Sequence, residues 1–287
     1  MEHDRSYFHQ TIKSIYINQS QNHTACMVEQ HYHNSYELYY LLDGQRNYFI
    51  KDRIYSIKKG ALIFIGMNEL HRTTDADVSF YNRILINFKP SFLDSLFPLK
   101  GIDLFECFKH SFNAVKLSIN EQIYIENLLC RMMHEYDKKD YGYELYLKSM
   151  LVELLLLLNR HILHNPEDEF DNPDLQHKKV MFIINHINSN YADTLTLSNL
   201  SKLYFYSASY LSRIFKQVTG FKFAEYVNSI RIMESIKLLK ETQLSITQIS
   251  EKVGYESTTH FGRVFKQITG QSPREYRKSA SSSAPFN

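Results

Sequence analysis

Four side chains near the start of the sequence could do chemistry together: His31, His33, Glu37 and His71. In an extended strand His31, His33 and Glu37 share parity and point to one face. With His71 arriving from another strand they would offer imidazole and carboxylate donors, a set that suits a first-row metal ion. The same groups could instead line a polar pocket, bonded to each other or to a sugar-like effector. Tyr39 shares their parity and could add an aromatic wall and a hydroxyl. A third reading leaves the histidines in solvent at the mouth of a barrel. The small-molecule pocket is the expectation taken forward, with His31, His33, Glu37, Tyr39 and His71 as effector-binding residues and no cofactor or resident metal.

A second set lies in the last third of the chain. Tyr210–Val227 (YLSRIFKQVTGFKFAEYV) repeats as His260–Arg277 (HFGRVFKQITGQSPREYR), and eight of the eighteen positions are identical. Leu211, Ile214, Phe215 and Val218 in the first copy, and Phe261, Val264, Phe265 and Ile268 in the second, have the spacing of one buried helix face. Two bundled hairpins could share such a core without binding anything. The repeat also keeps Arg213/Arg263 and Lys216/Lys266, which a core does not require. In the second copy Gly254 can form a tight interhelical turn, Ser257 can cap the following helix, and Gly270 with Pro273 can end it. Ser245-x-x-Gln248 reads as a capping box ahead of that pair. A short helix, a tight turn and a second helix with a polar outer stripe is what a helix-turn-helix needs.

These residues resemble the DNA-binding domain of the arabinose-operon regulator (AraC/XylS) family of bacterial transcription factors. Ile249, Val253, Gly254, Tyr255, Phe261, Arg263, Phe265, Lys266, Gly270, Pro273, Tyr276 and Arg277 match its signature, with Ser250 in place of the usual alanine and Tyr255 in place of phenylalanine. In the first copy Phe205 stands where a turn glycine is common, so its recognition helix is expected to sit less deeply and Arg263 to matter more than Arg213. By position, Ser209, Tyr210, Arg213, Thr259, His260 and Arg263 are candidates for base edges, and Lys216 and Lys266 for phosphates. A salt bridge or phosphate contact is the alternative for each arginine. His31–Gly44 likewise resembles the first cupin motif throughout its spacing, with Ala25 in place of the opening glycine. Of the second cupin motif Gly60 and His71 are in register, whereas Gly66, Asn68 and Asp75 are departures. The resemblance implies a regulator that responds to a small molecule, acts on a double-stranded operator as a homodimer in the cytoplasm, and can engage RNA polymerase. A metal-dependent cupin-type enzyme with an accessory DNA-binding module is the alternative.

The elements that must hold these sets follow from composition and period. At 287 residues and 44% hydrophobic, the chain has room for two packed domains. Residues 175–287 hold 15 Lys/Arg against 7 Asp/Glu, while the remainder carries a net −6, which fits a polyanion-binding module joined to something else. The N-terminal end lacks an apolar signal-type segment, no run is long enough to cross a bilayer, and Cys26, Cys107 and Cys130 read as small buried thiols. From Cys26 to Asn87 short strands with turn signals at Asp43-Gly44, Lys51-Asp52 and Lys59-Gly60 predict an all-β cupin-like barrel or jelly roll.

Residues 118–163 change to helical period. Ile123, Ile125, Leu128, Leu129 and Met132 outline one helix, and Leu145 through Leu158 a second that must bury more than one face. The family resemblance assigns this pair to dimerisation; covering the open side of the barrel is the other reading. The domains expected are 1–165 (effector binding), a Pro- and acid-rich linker at 166–176, 177–278 (two helix-turn-helix units about a connecting helix) and a frayed tail at 279–287. The fold class is therefore mixed: an all-β domain with a helical pair, then an all-α domain.

Overall fold

The computed structural model describes residues 14–22, 33–75, 80–96, 101–166, 170 and 175–282. Its backbone divides into two compact units, Met1–Pro173 and Asp174–Asn287.

The first unit is built on one long strand. Strands β1 (Ile15–Asn22), β2 (Tyr36–Ile50), β3 (Arg53–Lys58), β4 (Ala61–Ile65), β5 (His71–Asp75), β6 (Tyr81–Phe88) and β7 (Ala114–Lys116) are all antiparallel to their partners. The first half of β2 pairs with β4 and β6, and its second half with β3 and β5. Among the described residues the path β1-β6-β2-β4-β7 does not close into a ring. The sheet bends about β2 instead. Lys51-Asp52 and Lys59-Gly60 are turns as expected, but Asp43-Gly44 is not. The register shifts between Leu41 and Asp43, and Gly44 takes φ +91 while the strand runs on. A bulge of this kind adds one residue to one strand and reverses its parity downstream. Odd-numbered Glu37, Tyr39 and Leu41 therefore share a face with even-numbered Tyr48 and Ile50.

That face has its own core, in which Tyr39, Tyr48, Tyr55, Ile57, Ile63 and Leu85 are buried. The opposite face, with Leu38, Tyr40, Phe64, Ile86 and Phe88, packs against two helices, α1 (Ile119–Lys138) and α2 (Tyr143–His164). Ser118 caps α1 in a reciprocal box with Glu121, whose carboxylate also meets His161 of α2 at 2.7 Å. Ile125, Leu128, Leu129 and Met132 are buried as their spacing requires, and so are Leu147, Met150, Leu151 and Leu154. Ile123 and Leu145 are not; they stand 57% and 65% exposed on the outer side of the pair. Cys107 is buried, whereas Cys130 is exposed on α1, against the expectation that it fills a core; Cys26 lies outside the described residues.

The second unit is all helical: α3 (Leu175–Ser189), α4 (Leu197–Tyr204), α5 (Ala208–Thr219), α6 (Phe223–Glu241), α7 (Ile246–Lys252), α8 (Thr258–Thr269) and α9 (Pro273–Ser282). Helix α3 begins inside the segment read as linker, of which 167–169 and 171–174 lie outside the described residues, as do 283–287 of the tail. Val180, Ile183, Ile184 and Ile187 of α3 enter the core. The pairs α4–α5 and α7–α8 are the two expected helix-turn-helix units, and the nineteen residues of α6 join them.

Gly254, in the second turn, is needed twice over. It has φ +88, and a Cβ there would lie 2.4 Å from the Ala192 carbonyl oxygen. Gly254→Ala is expected to destabilise the second unit by about 2–4 kcal/mol, combining a left-handed backbone penalty with a clash against a carbonyl. The measurement is urea unfolding followed by helical circular dichroism. A loss under about 0.5 kcal/mol, the scale of an ordinary surface substitution, would contradict it.

Candidate functional site

The duplicated segments can now be sorted position by position. Phe215 and Phe265 are buried, and each packs edge-on against the tyrosine eleven residues later, Tyr226 at 5.5 Å and Tyr276 at 5.7 Å. Thr219 and Thr269 bond back to the Phe215 and Phe265 carbonyls, at 2.7 and 2.8 Å, and accept from the amides of Phe221 and Gln271. Gly220 and Gly270 close α5 and α8 with φ of +78 and +77. Glu225 and Glu275 accept from the amides of Lys222 and Ser272 at the start of the next helix. Five of the eight identities therefore serve the fold.

The remaining three are Arg213/Arg263, Lys216/Lys266 and Gln217/Gln267, and all six side chains are exposed. No ion pair holds either arginine or either lysine among the described residues.

The turns that present these helices share a serine cap and a left-handed residue but differ in length, three residues (205–207) in the first and five (253–257) in the second. Ser207 and Ser257 cap α5 and α8 by accepting from the amides of Tyr210 and His260, at 3.2 and 3.3 Å. Phe205 adopts the left-handed conformation, φ +57, and closes α4 as a glycine would. The left-handed residue of the first turn is therefore supplied without a glycine. The outer faces differ too. Tyr210 packs on Tyr206 at 5.4 Å, and the Arg213 guanidinium lies 5.7 Å from the Tyr210 ring centre. In the second copy His260 rests edge-on against Tyr255, and among the described residues Arg263 has no such ring. Ser209, Thr259 and His260 are exposed beside the arginines, and Tyr210 is half-buried.

The first unit contains the other cluster. His33, just ahead of β2, Glu37 on β2 and His71 at the start of β5 come together; His31 lies outside the described residues. Glu37 Oε2 is 3.0 Å from His33 Nε2 and 3.8 Å from His71 Nε2. Glu37 and His71 are buried and His33 is half-buried. Both imidazoles are anchored through Nδ1, which donates to the Ser35 carbonyl at 3.0 Å in one case and to the Glu69 carbonyl at 2.8 Å in the other.

The Tyr48 hydroxyl donates to Glu37 Oε1 at 2.9 Å. With its amide turned so that the nitrogen donates, Asn87 reaches Glu37 Oε2 at 3.3 Å. Tyr39 is edge-on to Tyr48 at 5.2 Å, and its buried hydroxyl has no hydrogen-bond partner among the described residues. Tyr48, Asn87 and Ser35 were not legible as site residues: Tyr48 has the wrong parity until the bulge is known. Gly44, separated from Glu37 by six residues, is the signal that marks it.

The electrostatics follow from burial and proximity. Burial disfavours the Glu37 carboxylate, but the two imidazoles and the Tyr48 hydroxyl outweigh it and hold its pKa far below the usual range. Burial pulls His33 down, and the hydrogen bond and charge of Glu37 reverse this, leaving it raised. His71 stays depressed because burial exceeds the attraction of Glu37. The cluster thus favours an ionised carboxylate and a proton on His33 and disfavours charge on His71.

Two family models match this chain. An AraC-like ligand binding domain covers residues 17–155, and a helix-turn-helix domain covers residues 200–279. This chain carries both domains of an AraC-family regulator. It is a DNA-binding transcriptional regulator with a ligand-binding domain. A helix-turn-helix-type transcriptional activator, RhaR of Mannheimia succiniciproducens, is 23% identical over 86% of each chain. An uncharacterized helix-turn-helix-type regulator of Bacillus subtilis, YisR, is 34% identical over 44% of each. Among solved structures, the C-terminal domain of AraT, a response regulator from Geobacillus stearothermophilus, is 34% identical over 35% of this chain and 84% of that chain, with a TM-score of 0.34. Among the described residues no helix is long and apolar enough to cross a membrane.

Proposed function

We propose that this AraC-family chain reads its operator through the outer faces of α5 and α8 and is switched by a small molecule held on the inner face of the β-sheet. The observation that carries the first part is the residue of the repeat: once folding roles are removed, exposed Arg, Lys and Gln remain at matching positions. Arg213 and Arg263 reach base edges, with Ser209, Tyr210, Thr259 and His260 beside them. Lys216 and Lys266, one turn further along, contact phosphate. Helix α6 spans roughly 28 Å at about 1.5 Å per residue, close to the ~34–36 Å advance of one duplex turn. Both recognition helices can then enter successive major grooves. Selection of operator sequences from random DNA by the full chain tests this; recovery of no preferred sequence would refute base reading.

The effector is a small polar metabolite, a sugar among the candidates. Glu37, His33 and His71 offer charge and hydrogen bonds, and the Tyr39 hydroxyl is buried without a hydrogen-bond partner among the described residues. A ligand there acts by binding one conformation of the sensor better than another. The regulator works in the cytoplasm, without catalysis, and RNA polymerase is a further partner of the DNA-bound form.

A second copy of the chain is the partner we assign to the outer side of α1 and α2. Ile119, Ile123 and Leu145 are 74%, 57% and 65% exposed there, with Tyr124 and Tyr146 beside them. Large apolar side chains left exposed along two paired helices in this way mark an interaction site. The full chain is expected to sediment as a dimer at micromolar concentration, and Ile123→Glu combined with Leu145→Glu to sediment as a folded monomer. A double variant that remains dimeric would place the interface elsewhere.

A further inference from the structure

We propose that His33, Glu37 and His71 form a binding site for a divalent first-row transition-metal ion such as Zn²⁺ or Co²⁺. The inference rests on reading the inner face of the sheet as the sensor's binding site and names a ligand class for it.

The donor atoms converge. His33 Nε2, Glu37 Oε2 and His71 Nε2 all lie within 4.8 Å of one another. Metal–ligand bonds of ~2.0–2.1 Å in tetrahedral or octahedral geometry set neighbouring donors roughly 2.9–3.4 Å apart. Of the separations from Glu37 to the two imidazoles, 3.0 Å falls within that range and 3.8 Å lies just above it, so a small side-chain shift completes the set.

The tautomers are fixed in the required sense. Each Nδ1–H is spent on a backbone carbonyl, Ser35 for one ring and Glu69 for the other, so each Nε2 is the nitrogen turned toward the carboxylate. A metal-ligating imidazole needs this arrangement, with the distal nitrogen donating to a carbonyl or carboxylate. The third donor is oriented too, because the Tyr48 hydroxyl holds Glu37 Oε1 and leaves Oε2 facing the histidines. Every prospective ligand therefore has an outer partner, and the three ligands come from two strands and the segment leading into one of them. Two imidazoles with one carboxylate suit zinc, cobalt, nickel or ferrous iron and not calcium or magnesium, which take oxygen ligands. Three protein ligands leave positions open for water or for oxygen atoms of an effector.

The full chain, stripped with chelator and dialysed against Zn²⁺ or Co²⁺, is expected to retain about one ion per chain. The Co²⁺ form should show visible absorption from nitrogen coordination. Glu37→Gln, His33→Ala and His71→Ala should each abolish this stoichiometric binding. Tyr48→Phe should weaken it about 10- to 100-fold while leaving the ligands in place. Circular dichroism checks folding; should His71→Ala fail to fold, Glu37→Gln and His33→Ala with the wild-type Co²⁺ spectrum carry the test. No retained ion, or an ion retained equally by folded Glu37→Gln and His33→Ala, overturns the site. Two further measurements separate it from the sensor reading. A metabolite that stabilises a chain shown to retain no ion would leave the sensor reading intact and end the metal inference. A metal held by the cluster without changing operator affinity would keep the site and remove its sensor role.

Discussion

Arg213→Ala and Arg263→Ala are each expected to cost about 1–3 kcal/mol of binding to the selected operator and to relax preference at one base pair. Lys216→Ala and Lys266→Ala should weaken every sequence about equally and reduce the salt slope by roughly one unit. The two pairs differ in position on otherwise matched helices. Each arginine is the sixth residue of its recognition helix and projects past the capped N-terminal turn, whereas each lysine is the ninth and lies toward the glycine-closed end. Because Phe205 supplies the left-handed residue of its turn, the two arginine losses should be comparable rather than weighted toward Arg263. Tyr210 bears on their ordering as well: a guanidinium resting on a ring is already placed, so removing the ring by Tyr210→Ala should cost more than His260→Ala. Operator and non-specific affinities across a salt series read all of these. If both arginine variants kept full sequence preference and lost only salt-dependent affinity, they would join the lysines as phosphate contacts.

The helical unit was largely legible in the sequence because its signals are local. Caps such as Ser245 and Ser257, the closing Gly270 and the spacing of Phe261, Val264 and Phe265 each act within a turn or two, and the repeat states them twice. Phe205 is the exception, since nothing in a phenylalanine announces a left-handed backbone; the surrounding pair imposes it. The β-unit was less legible because its site depends on register. Glu37 and His71 meet only because β5 pairs with the far half of β2, and Tyr48 joins them only because the bulge after Leu41 reverses parity. Ile123 and Leu145 illustrate a different limit. Helical period places a residue near an apolar stripe but not where the packed interface ends, and both fall just outside it.

Glu37→Ala, in protein stripped of metal, is expected to destabilise the first unit by about 3–5 kcal/mol, the range for removing one partner of a buried ion pair. The loss strands groups that depend on the carboxylate: the His33 proton, the Tyr48 hydroxyl and, through them, the packing of Tyr39. Its pH dependence has a definite shape. The Glu37 pKa is lowered on folding, so its contribution is present above the unfolded value near 4.5 and is lost as pH falls toward the folded one. The His33 pKa is raised, so its contribution is present below its ordinary 6.5 and is lost as pH rises through the folded value. His71, depressed by burial, works in the opposite sense to His33: its contribution is present above 6.5 and is lost as pH falls. Glu37→Gln keeps the shape of the side chain and removes the charge, so it isolates the first two terms. The stability difference between wild type and Glu37→Gln should shrink steadily as pH falls below about 4.5, be largest between about pH 5 and 6, and shrink again as pH rises above 6.5 and His33 loses its proton. Chemical unfolding of both proteins across that range, followed by circular dichroism, measures it. A difference that does not change with pH would mean that Glu37 and His33 do not form an ionised pair, and the charge assignment of the cluster would have to be withdrawn.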